Sequence, residues 1–332
     1  MATYPRPQRD LRAPIRPAAR IIADADLLPV LAAHLTPRDR WMIRLIHEHR
    51  VLTSHQLIEA AWDARRSANE RLLQLYRWRL LDRFQPLLGV GHGQAPAHYI
   101  LDTAGAQILA AEDGIPVKDT GYNRENTLAI AHSLRLAHTI AVNGFFTALI
   151  AHARHPNPPG SLTAWWPETR CFRAVGDLVR PDAYGRWHTT GGRETAWYLE
   201  LDWATERTSR LARKIGDYAQ LAAATHPTPI LFWFPTLERE IDARRALTGA
   251  IAALDQPHHV PVATTAAPLA PDDARLDPTL TRWLPIPAGR TGRLPLDQLH
   301  HAWPRLPAPP PATARPAGLS PPAPMPPSRP RG

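Results

Sequence analysis

Between Thr36 and Glu70 the chain repeats one local pattern three times, and that repetition restricts the N-terminal region to short helices in series. In each copy a hydroxyl stands where it can accept from a free backbone N–H, and an acid or amide three residues on can return the bond. The pairs are Thr36 with Asp39, Thr53 with Gln56, and Ser67 with Glu70. Pro37 at the first helical position strengthens the first start, since an N–H there would have no helical partner. One stripe of the first helix carries Trp41, Met42, Leu45 and Ile46. The second offers Leu57, Ile58 and Ala61, and the third Leu72, Leu75 and Tyr76, so three small helices share a core.

After the third helix, residues 80–87 and 98–101 read as two strands around the glycine-rich Gly89-Val90-Gly91-His92-Gly93, and a helix from Thr103 to Glu112 closes the unit. Three helices followed by a β-wing is the order of a winged helix-turn-helix, in which the third helix enters the major groove and the wing touches backbone. The charge falls where that order needs it. Arg65, Arg66, Asn69, Arg71, Gln74 and Arg77 lie at or on the third helix and offer donors for phosphates and base edges, with Glu70 opposing them. A basic solvated helix in a protein-binding domain would show the same residues, and His92 reads as an exposed turn residue.

Lys and Arg outnumber Asp and Glu by 39 to 30, which favours a polyanionic partner such as duplex DNA. The lone cysteine, Cys171, excludes an intramolecular disulfide or a multi-cysteine zinc site and fits a reducing, cytoplasmic setting. No apolar run follows the early arginines, so they do not read as a secretion signal. The most apolar stretch, 128–150, is interrupted by His132, Arg135, His138 and Asn143, and no membrane span is expected. Residues 1–30 read as a disordered basic arm and 303–332 as a disordered Pro/Ala-rich tail. Between them the composition divides into a winged-helix domain at 31–116, an α/β domain at 120–256 and an irregular extension at 257–302. A long helix from Asn123 to His152 marks the junction.

In the second half, acidic residues end or sit on strand-like segments: Glu168, then Asp182 in Arg180-Pro181-Asp182-Ala183, then Glu200 and Asp202 in Leu199-Glu200-Leu201-Asp202. Alternation along a strand puts Glu200 and Asp202 on one face, and a hairpin would bring Asp182 beside them. Such a cluster suits magnesium or manganese and phosphodiester cleavage, while the same acids could equally pair with Arg180 and Arg186. A helix opened by Trp203-Ala204-Thr205-Glu206 buries Leu211, Ile215, Tyr218 and Ala222 and carries Arg207, Arg210, Arg213 and Lys214. An apolar strand at 229–234 and a helix at 237–254 complete an α-β-β-β-α-β order.

These motifs together resemble the replication-relaxation proteins of plasmids and integrative elements. The resemblance spans roughly 35–251 and includes Leu35-Thr36-Pro37-Arg38-Asp39, Leu136-Ala137-His138-Thr139-Ile140-Ala141-Val142-Asn143, Leu199-Glu200-Leu201-Asp202-Trp203-Ala204-Thr205-Glu206 and Lys214-Ile215-Gly216-Asp217-Tyr218. It implies an α+β chain: a winged helix-turn-helix followed by a restriction-endonuclease-like α/β domain of the PD-(D/E)XK kind. Carried over, Asp182 and Glu200 would be the metal carboxylates. Asp202 stands where the nuclease motif has lysine, which leaves Lys214 to take that role, or Glu168, Asp202 and Glu206 to make a more acidic site. The expected activity is DNA binding in replication, relaxation or mobilisation of a mobile element, with metal-dependent nicking as a further step. The alternatives are a non-catalytic transcriptional or partition regulator, and an adaptor that recruits a relaxase or replication initiator through its proline-rich tail.

Overall fold

The computed structural model describes residues 27–86, 95–203, 207–267, 277–287, 292–311 and 319–328. The fold is mixed α+β. The chain divides into two compact units, one of residues 3–147 with 315–332, the other built on 148–314.

The first unit opens with helices α1 (Leu27–Ala33), α2 (Pro37–His49), α3 (Ser54–Ala61) and α4 (Arg65–Arg77). Two of the three capping boxes form. The Thr36 hydroxyl accepts from Asp39 N at 3.2 Å while Asp39 Oδ2 accepts from Thr36 N at 2.8 Å, and Thr53 with Gln56 repeats this at 3.2 and 2.9 Å. The third does not form, because α4 starts earlier than expected, after Ala64. Ser67 therefore lies inside the first turn, where its hydroxyl donates back to Ala64 O at 3.0 Å, and Glu70 turns to Arg66 at 3.1 Å.

A three-stranded antiparallel sheet of order β1-β3-β2 follows, from β1 (Leu52–Thr53), β2 (Leu81–Phe84) and β3 (His98–Leu101). β1 was not expected, since two residues are too short to show alternation. The glycine-rich segment Gly89–Gly93, with His92, lies outside the described residues. α5 (Thr103–Asp113) is capped by Asp102 and stops at Gly114, whose φ of 67° suits glycine. It lies so close to the chain entering β2 that a Cβ on Gly105 would sit 2.4 Å from Leu80 O.

The long helix expected over 123–152 is broken. α6 (Arg124–Ala129) runs into a short 3₁₀ turn, and α7 (Leu136–Ala153) starts afresh. Ser133 is extended, and its hydroxyl accepts from Arg135 N at 3.2 Å, a local bond that competes with helix continuation. The break lets Ile130 and Leu136 pack together with Val51 and Ile100. Asn143 is buried on α7 and donates to His49 O at 3.2 Å and Val51 O at 2.7 Å, satisfying the carbonyls that lead into β1. Among the described residues α7 alone is long and apolar enough to cross a membrane, but Leu136, Val142, Phe145, Phe146, Leu149 and Ile150 are all buried in the protein.

The second unit is a six-stranded sheet of order β4-β5-β6-β7-β8-β9. β4 (Gly160–Pro167), β5 (Ala183–Thr189) and β6 (Glu194–Leu201) form an antiparallel meander, interrupted between β4 and β5 by α8 (Glu168–Val175). β6, β7 (Ile230–Phe234) and β8 (Val262–Ala266) run parallel, joined by α9 (Thr208–Ala224) and α10 (Leu237–Ala252). Parallel neighbours require such crossovers, and a strand covered on both faces reads as the unbroken apolar run Ile230-Leu231-Phe232-Trp233-Phe234. β9 (Leu284–Ile286) pairs antiparallel with β8, so residues 257–302, read as an irregular extension, supply two strands.

α9 and α10 place Leu211, Ile215, Tyr218, Ala243 and Leu247 in one core with Tyr198, Ile230, Phe232, Phe234 and Val262. Residues of opposite parity, Trp197 and Trp233, face away from that core, and Trp233 meets Trp283 edge-on at 5.7 Å. The described residues after Ala302 form no helix or strand.

Candidate nucleic-acid interface and carboxylate cluster

α4 buries Ala68, Leu72, Leu75 and Tyr76 and leaves Arg65, Arg66, Asn69, Gln74 and Arg77 exposed. The 3.6-residue period sorts them, because the four buried positions fill one stripe and the polar positions cover the remainder. Ser67, Glu70, Arg71, Gln74 and Arg77 line an open depression of about 440 Å³. Arg71 is held apart from the other cations. Its Nε donates to Asp39 Oδ1 at 3.0 Å and its Nη2 to Asp39 Oδ2 at 2.6 Å, with a further bond to His34 O at 2.9 Å. Asp39 is 1% exposed, so this pair ties α4 to the capped start of α2. Arg66 meets Glu70 at 3.1 Å, but both side chains are well exposed and the pair is weak in water. Arg65 lies 3.2 Å from His55, and partial burial together with that guanidinium holds His55 below the ordinary imidazole range.

In the second unit Glu200 pairs with Lys214 and feels the charge of Asp182. Pairing of Ala183 with Leu199 places Asp182 at the entry of β5 beside the end of β6, where its N–H donates to Leu199 O at 3.1 Å and its Oδ2 accepts from Leu201 N at 2.8 Å. Glu200 points to the helix-covered face and is 4% exposed. Lys214 and Tyr218, one turn apart on α9, reach it together: Lys214 Nζ lies 2.7 Å from Oε2, and the Tyr218 hydroxyl donates to Oε1 at 2.6 Å. Burial and the nearby Asp182 carboxylate push Glu200 up to about 7 against the opposing pull of Lys214. Burial and Glu200 likewise raise the Tyr218 phenol, and burial with Asp182 raises the Cys171 thiol, so both stay protonated and neutral.

Asp202 follows a different route. Just past β6 its Oδ2 accepts from Arg239 of α10 at 2.9 and 2.6 Å. Glu168 opens α8, and Glu206 lies outside the described residues. Among the described residues no three His, Cys, Asp or Glu side chains are grouped to hold a metal ion. Both oxygens of Glu200 already accept from side-chain donors, one of them a cation, and the carboxyl resists ionisation. That donor set does not fit a resident magnesium or manganese ion, which needs carboxylate oxygens open to it. What the cluster does accomplish is to satisfy a buried acid and fasten α9 to β6.

Sequence reasoning missed a further buried acid. Glu240 on α10 is fully buried, accepting from Thr264 Oγ1 at 2.6 Å and from Arg293 at 3.1 and 2.7 Å. Arg244, one turn on, donates to Thr264 Oγ1 and to the carbonyls of Leu284 and Pro285, which binds α10 to β8 and β9. Arg293 is far from Glu240 in sequence, and nothing local announces the pair.

A family model described as replication-relaxation matches residues 43–230, a span from α2 to the start of β7. No curated protein matches the chain, and no solved structure matches it.

Proposed function

Because the chain belongs to the replication-relaxation family, we propose that it acts in the replication or relaxation of a plasmid or integrative element by binding duplex DNA through α4 of a winged-helix unit. The observation that carries this reading is the exposed face of Arg65, Arg66, Asn69, Gln74 and Arg77 on a helix whose apolar stripe is fully buried. Guanidinium groups there supply phosphate contacts, while Asn69 and Gln74 are of the type that reads adenine edges. Arg71 contributes to stability instead, through Asp39.

Three exposed arginines engaging phosphates give a slope of roughly −3 in log affinity against log salt concentration. Fluorescence anisotropy with a labelled duplex across a salt series measures it. An affinity that does not change with salt, or that survives removal of Arg65, Arg66 and Arg77 together, refutes the reading.

Metal-dependent nicking is the second reading, and the Glu200–Lys214 pair, with the Asp182 charge acting on Glu200, favours it. The chemistry of the donor set opposes it, and we read the second unit as a non-catalytic partner of the DNA-binding unit. Supercoiled plasmid incubated with magnesium or manganese should show the same background cutting for wild type, Asp182→Ala and Glu200→Ala. Cutting by wild type that both variants lose restores the nuclease reading.

A further inference from the structure

The proline-rich tail returns to the first unit. Leu319 is buried, and two of the four residues after it, Ser320 and Ala323, are held by polar groups of α2 and α5. Trp41 Nε1 donates to Ala323 O at 2.8 Å, and Arg44 Nη1 donates to Ser320 O at 3.0 Å. Ser320 N donates to Asp113 Oδ2 at 2.6 Å. The receiving groups are themselves braced, since Arg44 also meets Asp113 at 2.8 Å and Glu112 at 3.0 Å, and Arg40 pairs with Glu112.

The spacing explains why a proline-rich strand suits these helices. Ser320 and Ala323 are three residues apart, and both carbonyls accept from side chains of α2. Trp41 and Arg44 are also three apart, on adjacent turns of α2, so two donors stand in line opposite two acceptors. Proline has no N–H, which makes its flanking carbonyls the natural points of attachment, and Asp113 takes the N–H of Ser320 just before Pro321. Burial pushes Asp113 up, but the bonds from Arg44 and Ser320 more than offset it, keeping the carboxylate charged.

We propose that the α2–α5 surface built on Trp41, Arg44 and Asp113 is a recognition site for proline-rich segments, occupied in cis by residues 319–323 of the same chain. The site is separate from the α4 face and independent of the DNA-binding reading. A tail that docks on its own first unit also revises the idea that it serves freely as a lure for a relaxase or initiator: such a partner has to offer a better segment or engage the tail once released.

Amide exchange of the intact chain tests occupancy. The Ser320 amide should exchange at least about tenfold more slowly than in a free peptide of residues 317–328, and Asp113→Ala should abolish that protection. Equal exchange in chain and peptide overturns the proposal. A labelled 317–328 peptide, titrated into the intact chain and into a chain ending after Pro311, tests recognition. The shortened chain should bind at least about tenfold more tightly, because a tethered tail competes at high effective concentration. Trp41→Phe, which keeps a ring but removes the N–H, should weaken that binding. A folded shortened chain that ignores the peptide overturns the proposal, as does a tail-dependent dimer in sedimentation, which would make the occupant the tail of a second copy.

Discussion

Replacing Glu200 with Gln removes a buried charge while keeping an oxygen for the Tyr218 hydroxyl. The native carboxyl is pushed up to about 7 from 4.5, with burial the largest cause. Between those values the unfolded chain has already released the proton that the folded chain retains. The group's contribution is therefore complete below 4.5 and is lost as pH rises through about 7. A displacement of that size corresponds to roughly 3 kcal/mol in the limit that every other term is unchanged. Gln does not titrate, so the stability of Glu200→Gln relative to wild type should improve by up to about 3 kcal/mol between about pH 4 and about pH 8. Urea unfolding followed by tryptophan fluorescence, repeated across pH for both chains, measures this, because titrations common to the two cancel in the difference. Lys214→Met adds a sign test: its cost should be larger at about pH 8, where Glu200 is charged, than at about pH 5. A difference between wild type and Glu200→Gln that is flat with pH refutes the reasoning. A difference of the opposite sign shows that Lys214 outweighs burial and that Glu200 is a committed carboxylate.

Arg66→Ala and Arg77→Ala should each make the salt slope of DNA binding shallower by about one while changing thermal stability little. Arg71→Ala should do the reverse, losing about 3 kcal/mol in chemical denaturation because Asp39 is left buried without its cation. Asn143→Ala should cost about 1–3 kcal/mol, since the Val51 carbonyl loses the Asn143 donor and the His49 carbonyl keeps the Val51 N–H but loses the amide. Gly105→Ala should cost about 1–3 kcal/mol in the same assay, as its methyl meets the backbone carbonyl of Leu80.

The features that could be read from the sequence were those whose cause is local. Thr36 and Thr53 announce α2 and α3 through groups three residues away, and both boxes form. Ser67 shows the same letters, yet α4 starts two residues before it, because a hydroxyl in a first turn can also donate backwards. The apolar strand near Pro229 and the helix after it were legible from pattern, whereas β8 and β9 were not. Val262–Ala266 is short and rich in threonine, and its place in the sheet comes from β7 on one side and β9 on the other. The break at Ser133 escaped for a related reason: periodicity carries across it, and only the packing of Ile130 and Leu136 with Val51 and Ile100 rewards the interruption. In the carboxylate cluster, Asp182, Glu200 and Lys214 were each visible, and Lys214 was placed on the right helix. What α9 adds besides is Tyr218, which sequence reasoning counted only as core; its hydroxyl takes an oxygen of Glu200 that a metal would need.

The return of Leu319–Ala323 to α2 also bears on synthesis. A ribosome emits the helices of the first unit early, but the segment that covers Trp41 and fastens Arg44 and Asp113 emerges only after the whole second unit. Until then that surface is bare on every nascent chain, and a polysome carries many such chains side by side. The maturation of this unit is thus timed by translation of the codons for Leu319–Ala323, and a stop before them would release a body with an open proline-binding face.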